Sequence, residues 1–174
     1  GTARLTDDLH RTVGNAALKG LHVSLAAAAN FNSHPFGQGV HNAGTYTVQT
    51  ATEKDAEKLA KKIAGLRIFH DSNDKMNLSC LDDEVGGKFM VVSQFTLCAN
   101  STHGRRPDML YAARPEKAEP LYKRFVELLN CECQKLKNIF DENYVTTGVF
   151  GAHMRISFTN VGPMTFIIES GDLK

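Results

Sequence analysis

The sequence predicts an α+β domain with a mixed, barrel-like sheet and two long helices. Three observations carry this prediction. Several short runs alternate apolar and polar residues with period two, two longer segments repeat apolar residues at three-to-four spacing, and no unit repeats along the chain. The 174 residues are enough for one domain with a real core and few for two, so residues 1–174 are read as one unit. A composition of 42% hydrophobic and 22% charged residues is ordinary for a globular protein.

"LHVSLAA" (21–27) alternates cleanly, with Leu21, Val23, Leu25 and Ala27 on one face, as a half-buried strand does. Ahead of it, residues 3–15 hold short strand-like pieces around an Asp-Asp turn. Residues 30–44, rich in Asn, Gly and His without a period, read as a surface loop. Its His34 and His41 are expected to be solvated rather than metal ligands. "ATEKDAEKLAKKIAGL" (51–66) is an amphipathic helix with Ala56, Leu59, Ala60 and Ile63 on one stripe and lysines on the solvated face. Thr52 and Asp55 stand at capping-box spacing, with Asp in place of the usual Glu. "LRIFH" (66–70) is a short strand, "DSNDKMN" a turn, and "GGKFMVVSQFTL" (86–97) a glycine turn feeding a long strand.

"STHGRRPD" (101–108) is a polar, basic loop. A second helix runs from Glu116 or Ala118 to Lys137, burying Leu121, Tyr122, Phe125, Val126, Leu128 and Leu129. Pro120 fits only a first turn, so the regular helix is expected to begin near it. "HMRISFT" (153–159) alternates as a strand, and "MTFIIES" (164–170) is the last one.

Bulk properties exclude several classes of function. No apolar run approaches the roughly 20 residues of a membrane span, and "LAAAA" (25–29) is too short. The opening "GTARLTDD" has no apolar signal core, so a cytoplasmic protein with reduced thiols is expected. The four cysteines (Cys80, Cys98, Cys131, Cys133) form no CxxC pair, and no metal is expected. A net charge of +1 leaves any RNA contact to a local patch. There is no GxGxxG after a strand, P-loop, HExxH or GxSxG. No cofactor is implied.

Period two along 89–97 puts Met90, Val92, Gln94 and Thr96 on one face and Phe89, Val91, Ser93, Phe95 and Leu97 on the other. A buried Gln and Thr need partners. They either satisfy neighbouring backbone groups or line a polar recess for a small ligand. Thr96 is a weak nucleophile candidate, since no base is evident nearby. Gly162-Pro163 is either a plain hairpin turn or a site of close backbone approach, where an X-Pro bond can be cis.

"SQFTL" (93–97) and "NVGPMT" (160–165), in this order, resemble the two signature motifs of the D-aminoacyl-tRNA deacylase family. "GLHVSLAA", "KIAGLRIF", "KMNLS", "GRRPD", "AEPLYKRFVE" and "TGVFGAHM" fit the same family, so the resemblance is expected from Ala3 onward. Three departures stand out. The usual opening strand, which supports the Gly-Pro turn in relatives, has no counterpart before "ARLTDD"; residues 30–49 look like a loop insertion; and Met164 replaces Val.

The resemblance implies a deacylase fold and hydrolysis of the ester joining a D-amino acid, or glycine mischarged on another tRNA, to the 3′ end of tRNA. It implies no metal, and a homodimer with the active site at the subunit interface. Gly162 and Pro163 would exclude L-amino acids by their carbonyls, in cis form, with Asn160 and Met164 beside them. Ser93, Gln94, Phe95 and Thr96 would line the scissile ester, the N–H groups near Phe95 and Thr96 polarising its carbonyl. Phe150 and Met154 would hold the adenine. The tRNA 2′-hydroxyl would assist, with Thr96 as nucleophile the competing assignment. Arg105 and Arg106 are candidate phosphate contacts or simply a solvated basic loop. A nucleic-acid-binding module without turnover and a general small-ester hydrolase are the other readings.

Overall fold

Helix α1 (Glu53–Ala64) begins where the sequence predicts, at Thr52 in extended conformation. The Asp55 carboxylate accepts the Thr52 N–H at 2.8 Å and the Thr52 hydroxyl at 2.7 Å, so the first turn is closed from within. It also accepts the Ser170 hydroxyl at 2.8 Å, which fastens the helix start to the last segment of the chain. Ala56, Leu59, Ala60, Ile63 and Ala64 are buried, and the three alanines let neighbouring elements approach closely. Helix α2 (Pro115–Lys137) packs along α1 with Leu121, Tyr122, Phe125, Leu129 and Cys133 facing inward.

The α2 boundary departs from the sequence expectation. Pro115 takes the first helical position, and Pro120 lies inside the helix. Pro120 is exposed, so the carbonyl deprived of its N–H partner can turn to water. Asn138 ends the helix in the left-handed region (φ 54°), its N–H shared between the Gln134 and Lys135 carbonyls.

These data come from a computed structural model, which describes residues 21–28, 40–47, 49–102, 104–156 and 164–174. The strands are β1 (Leu21–Ala28), β2 (Val40–Thr47), β3 (Arg67–His70), β4 (Met76–Ser79), β5 (Lys88–Ser93), β6 (Val145–Thr147) and β7 (Met164–Glu169). A five-stranded sheet runs β6-β5-β2-β1-β7, and β3-β4 form a separate antiparallel hairpin. β1 is antiparallel to both β2 and β7, whereas β2, β5 and β6 are mutually parallel. Parallel neighbours need long crossovers, and the two helices lie in them: α1 between β2 and β5, α2 between β5 and β6. The expected mixed sheet with two long helices is therefore present. Phe89 and Val91 of β5, Val145 of β6, and Ile68 and Phe69 of β3 join both helices in one core.

Three other expectations change. Residues 40–44 are not loop: Val40–Thr47 is a strand in the middle of the sheet, so the supposed insertion does not extend across it. The strand entering "SQFTL" stops at Ser93, and Phe95–Cys98 form a 3-10 turn. Residues 153–156 carry no strand: Gly151 turns the chain at φ 71°, and the Met154 sulfur accepts the Val149 N–H at 3.3 Å. The segments 3–15 and 30–39, His34, Asn160, Gly162 and Pro163 lie outside the described residues.

Two predictions follow from this packing. Burial works to raise the Asp55 carboxyl, but hydrogen bonds from Thr52 and Ser170, with Lys58 nearby, outweigh it and hold the group below the ordinary carboxylate value. A carboxyl held low stabilises the fold above its unfolded value, and the contribution is lost as pH falls through its folded value. Asp55→Ala is expected to cost about 1 kcal/mol in urea unfolding at neutral pH. The gap to the parent should narrow as pH drops below the carboxylate range. Burial pushes the Cys98 and Cys133 thiols up to about 12 and Cys80 well above an ordinary thiol, while Cys131 is exposed. Thiol labelling of native protein at neutral pH, read by mass, should modify Cys131 quickly and the other three only after unfolding.

Candidate functional site

The carboxyl ends of parallel strands are where ligand sites form in such sheets, because crossover loops diverge there. In this chain that edge carries Thr47 of β2, Ser93 of β5 and Thr147 of β6. Just past the end of β5 the Gln94 N–H still donates to the Thr45 carbonyl, at 2.7 Å, before the chain turns. The Thr45 side chain, itself buried, donates to the Val92 carbonyl at 3.4 Å. Thr45 thus holds the chain at the point where it leaves the sheet. Beyond it, the Leu97 N–H bonds the Gln94 carbonyl and the Ala99 N–H the Thr96 carbonyl. The N–H groups of Phe95 and Thr96 make no backbone hydrogen bond among the described residues.

The faces expected from period two fail past Ser93. Gln94 and Thr96 are exposed rather than buried, since the 3-10 turn carries both outward. The Gln94 amide donates to the Thr96 hydroxyl oxygen. Phe95 is 61% exposed at the tip, an unusual position for a large aromatic. Ser93 is half-buried at the strand end.

The exit from β6 lies alongside. The Gly148 N–H donates to the Val91 carbonyl at 3.2 Å, and the Tyr122 hydroxyl donates to the same oxygen at 2.9 Å. Burial raises the Tyr122 phenol, so it remains a donor. Its ring meets Phe150 at 5.7 Å and 51°. Tyr122, Val126, Gly148, Val149 and Phe150 line a groove of about 490 Å³, with Glu119, Lys123 and Glu127 at its rim. Met154 curls back under it: a Cβ on Gly148 would sit 2.6 Å from the Met154 sulfur. Phe150 and Met154 are therefore brought together, around the exit of the strand next to the one that ends in Ser93.

The basic loop is pinned at its neck by paired Asn100 and Asp108 backbone bonds, each 2.9 Å. Asn100 Oδ1 also accepts the Thr102 N–H at 3.0 Å. Gly104 turns at φ 73°, and Arg105 and Arg106 are exposed, with no ion pair among the described residues. Met164 opens β7 level with Phe89, through Ala27 and His41. Ser93 is level with Ile168, through Thr45 and Val23. From 164 to 168 is four residues, about 13 Å along the strand. Among the described residues no group of three or more His, Cys, Asp or Glu could hold a metal ion. No helix there is long and apolar enough to cross a membrane.

Thr45 and Gly148 were not singled out from sequence, and Tyr122 was read only as core. The alternation of "GTYTV" (44–48) was the available signal for Thr45. For Tyr122 it was a hydroxyl within a buried stripe, which has to find an acceptor.

Several known proteins are similar in sequence or in fold. A D-aminoacyl-tRNA deacylase of Desulfatibacillum aliphaticivorans is 53% identical over 119 residues, covering 68% of this chain and 74% of that protein. One of Chloroflexus aurantiacus is 50% identical over 125 residues, 72% and 71% of the two chains. Among solved structures, a c-Myc DNA Unwinding Element Binding Protein superposes with a TM-score of 0.62 at 27% identity, over 86% of this chain and 97% of that one. A probable eukaryotic D-amino acid tRNA deacylase gives 0.58 at 16% identity, over 86% and 98%, a likeness of fold alone. The sequence resemblance begins later than Ala3: the profile of the D-Tyr-tRNA(Tyr) deacylase family matches residues 45–169, starting within β2. Spanning most of the chain, that match makes the protein a member of the D-Tyr-tRNA(Tyr) deacylase family.

Proposed function

We propose that the protein hydrolyses the ester of D-aminoacyl-tRNA, releasing the free D-amino acid and the tRNA, and so removes wrongly charged tRNA from translation. One observation carries this reading beyond family membership. An exposed turn whose Phe95 and Thr96 N–H groups make no backbone hydrogen bond among the described residues lies at the carboxyl end of β5, and the exit of neighbouring β6 walls an aromatic groove. The groove takes the terminal adenine against Phe150, with Met154 beneath. The ester then lies over Ser93–Thr96, where the Phe95 and Thr96 N–H groups stabilise the oxyanion formed as water attacks. The 3′-oxygen leaves with the tRNA, and the neighbouring 2′-hydroxyl assists. Thr96 is a poor nucleophile here, because its hydroxyl oxygen receives the Gln94 amide and no base adjoins it. Arg105 and Arg106 contact tRNA phosphate.

The L-enantiomer is excluded by Gly162 and Pro163, with Asn160 and Met164 flanking, supplied by a second subunit. Support for the homodimer is the strand register. Gly162 is two residues from Met164, a reach of about 7 Å at most. The offset along β7 to the level of Ser93 is about 13 Å. The lag of Met164 behind Ser93 along the sheet supports the reading that a partner's Gly-Pro, rather than the chain's own, completes the site. A binding module without turnover is the second reading, favoured by the solved neighbour that binds a DNA element.

Single-turnover assays with a matched pair of D- and L-aminoacyl-tRNA should release amino acid from the D form only. Equal rates on both would remove the proposal, and tRNA bound without ester loss would favour the binding module. Thr96→Ala is expected to keep its rate within about tenfold of the parent; a drop of a thousandfold or more would restore Thr96 as the nucleophile.

A further inference from the structure

The lysine face of α1 is more than a solvated surface. Lys58, Lys61 and Lys62 project beside Arg67, at the start of β3, and Lys174, in the C-terminal segment. Together with Gly65, Leu66 and Leu173 they enclose a groove of about 800 Å³ that no Asp or Glu among the described residues lines. The groove has built walls. The Lys58 ammonium donates to the Leu173 carbonyl at 3.0 Å, tying the helix to the C-terminal segment. Arg67 is braced by the backbone and side-chain oxygens of Asn77.

Lys88, Lys123, Arg124, Lys135 and Lys137 each have a carboxylate partner, whereas none of the ion pairs among the described residues takes a cation of the groove. Arg105, Arg106 and several other described cations also stand outside the ion pairs, so what sets this region apart is that five cations from three segments line one groove. The carbonyl end of α1 accounts for some of this, since Lys61 and Lys62 lie in its last turn and complement its dipole. It does not account for Arg67 and Lys174, which reach the same groove from other elements. In a chain of net charge +1, five cations around one groove are a concentrated field.

We propose that this groove binds the phosphodiester backbone of the tRNA, away from the aminoacylated 3′ end. The inference rests on the tRNA-deacylase reading and extends it to a second contact surface. Lysines act here as point charges on phosphates, so the groove contributes affinity without sequence preference.

The test pairs Lys61→Glu/Lys62→Glu with Lys61→Ala/Lys62→Ala, both positions being exposed in the last turn of α1. Binding of uncharged tRNA is measured across a salt series. Turnover is measured on D-aminoacyl-tRNA and on the D-aminoacyl ester of adenosine alone. The slope of log affinity against log salt should shrink by about two with both lysines neutralised. The KM for charged tRNA should rise about tenfold, while turnover of the adenosine ester stays at the parent value. An unchanged slope and KM, or an equal loss on the adenosine ester, would overturn the proposal. Should the parent protein leave the D-ester intact, the deacylase reading alone fails, and the salt slope with uncharged tRNA still decides the groove.

Discussion

A single buried oxygen, the Val91 carbonyl in β5, holds the candidate site together. It accepts the Tyr122 hydroxyl from α2 and the Gly148 N–H from the exit of β6. Val91 has no exposed surface, so neither of the oxygen's lone pairs has water as an alternative. Losing either donor would leave polar atoms stranded in the core, a cost of about 1–3 kcal/mol. Helix α2, strand β5 and the groove wall are thus positioned by the same atom. The groove wall is thereby tied to the buried core.

Thr45 plays the corresponding part on the other side of β5. Its carbonyl accepts the Gln94 N–H just past the end of β5, and its hydroxyl donates to the Val92 carbonyl two residues earlier. The 3-10 turn that follows owes its exposed N–H groups to that early ending. Had β5 run on to Leu97, the groups would have been spent on sheet pairing, and Gln94 and Thr96 would have been alternating strand residues.

Both helices were legible because their apolar periodicity is strong and α1 carries its own cap signal. β1, β3 and β7 were legible from alternation and apolar runs. β2 was not, because His, Asn and Gly in "VHNAGTYT" are poor strand formers, and only pairing on both sides makes that segment a strand. The early end of β5 was equally hidden: "FMVVSQFTL" alternates throughout, and nothing in that alternation marks the turn that begins at Phe95. Site residues were recognised as motifs, and their convergence became visible only through parallel pairing, which no local pattern encodes. The lysines of α1 are exposed, as their helical pattern implies, but a helical wheel cannot know which strand end and which chain segment will meet them.

The sheet joins nearly opposite ends of the chain: β1, starting at Leu21, lies between β2 and β7, which ends at Glu169. Such pairing makes the contact order high, so loop closure precedes much of the stabilising contact and folding is slow relative to helical domains of similar size. On the ribosome β1 can dock on β2 early, yet its other edge stays bare until the last strand has been synthesised. For that interval an unpaired strand edge is open to other chains. The arrangement that brings β7 into the sheet also makes the nascent protein depend on completion of its own C-terminal segment.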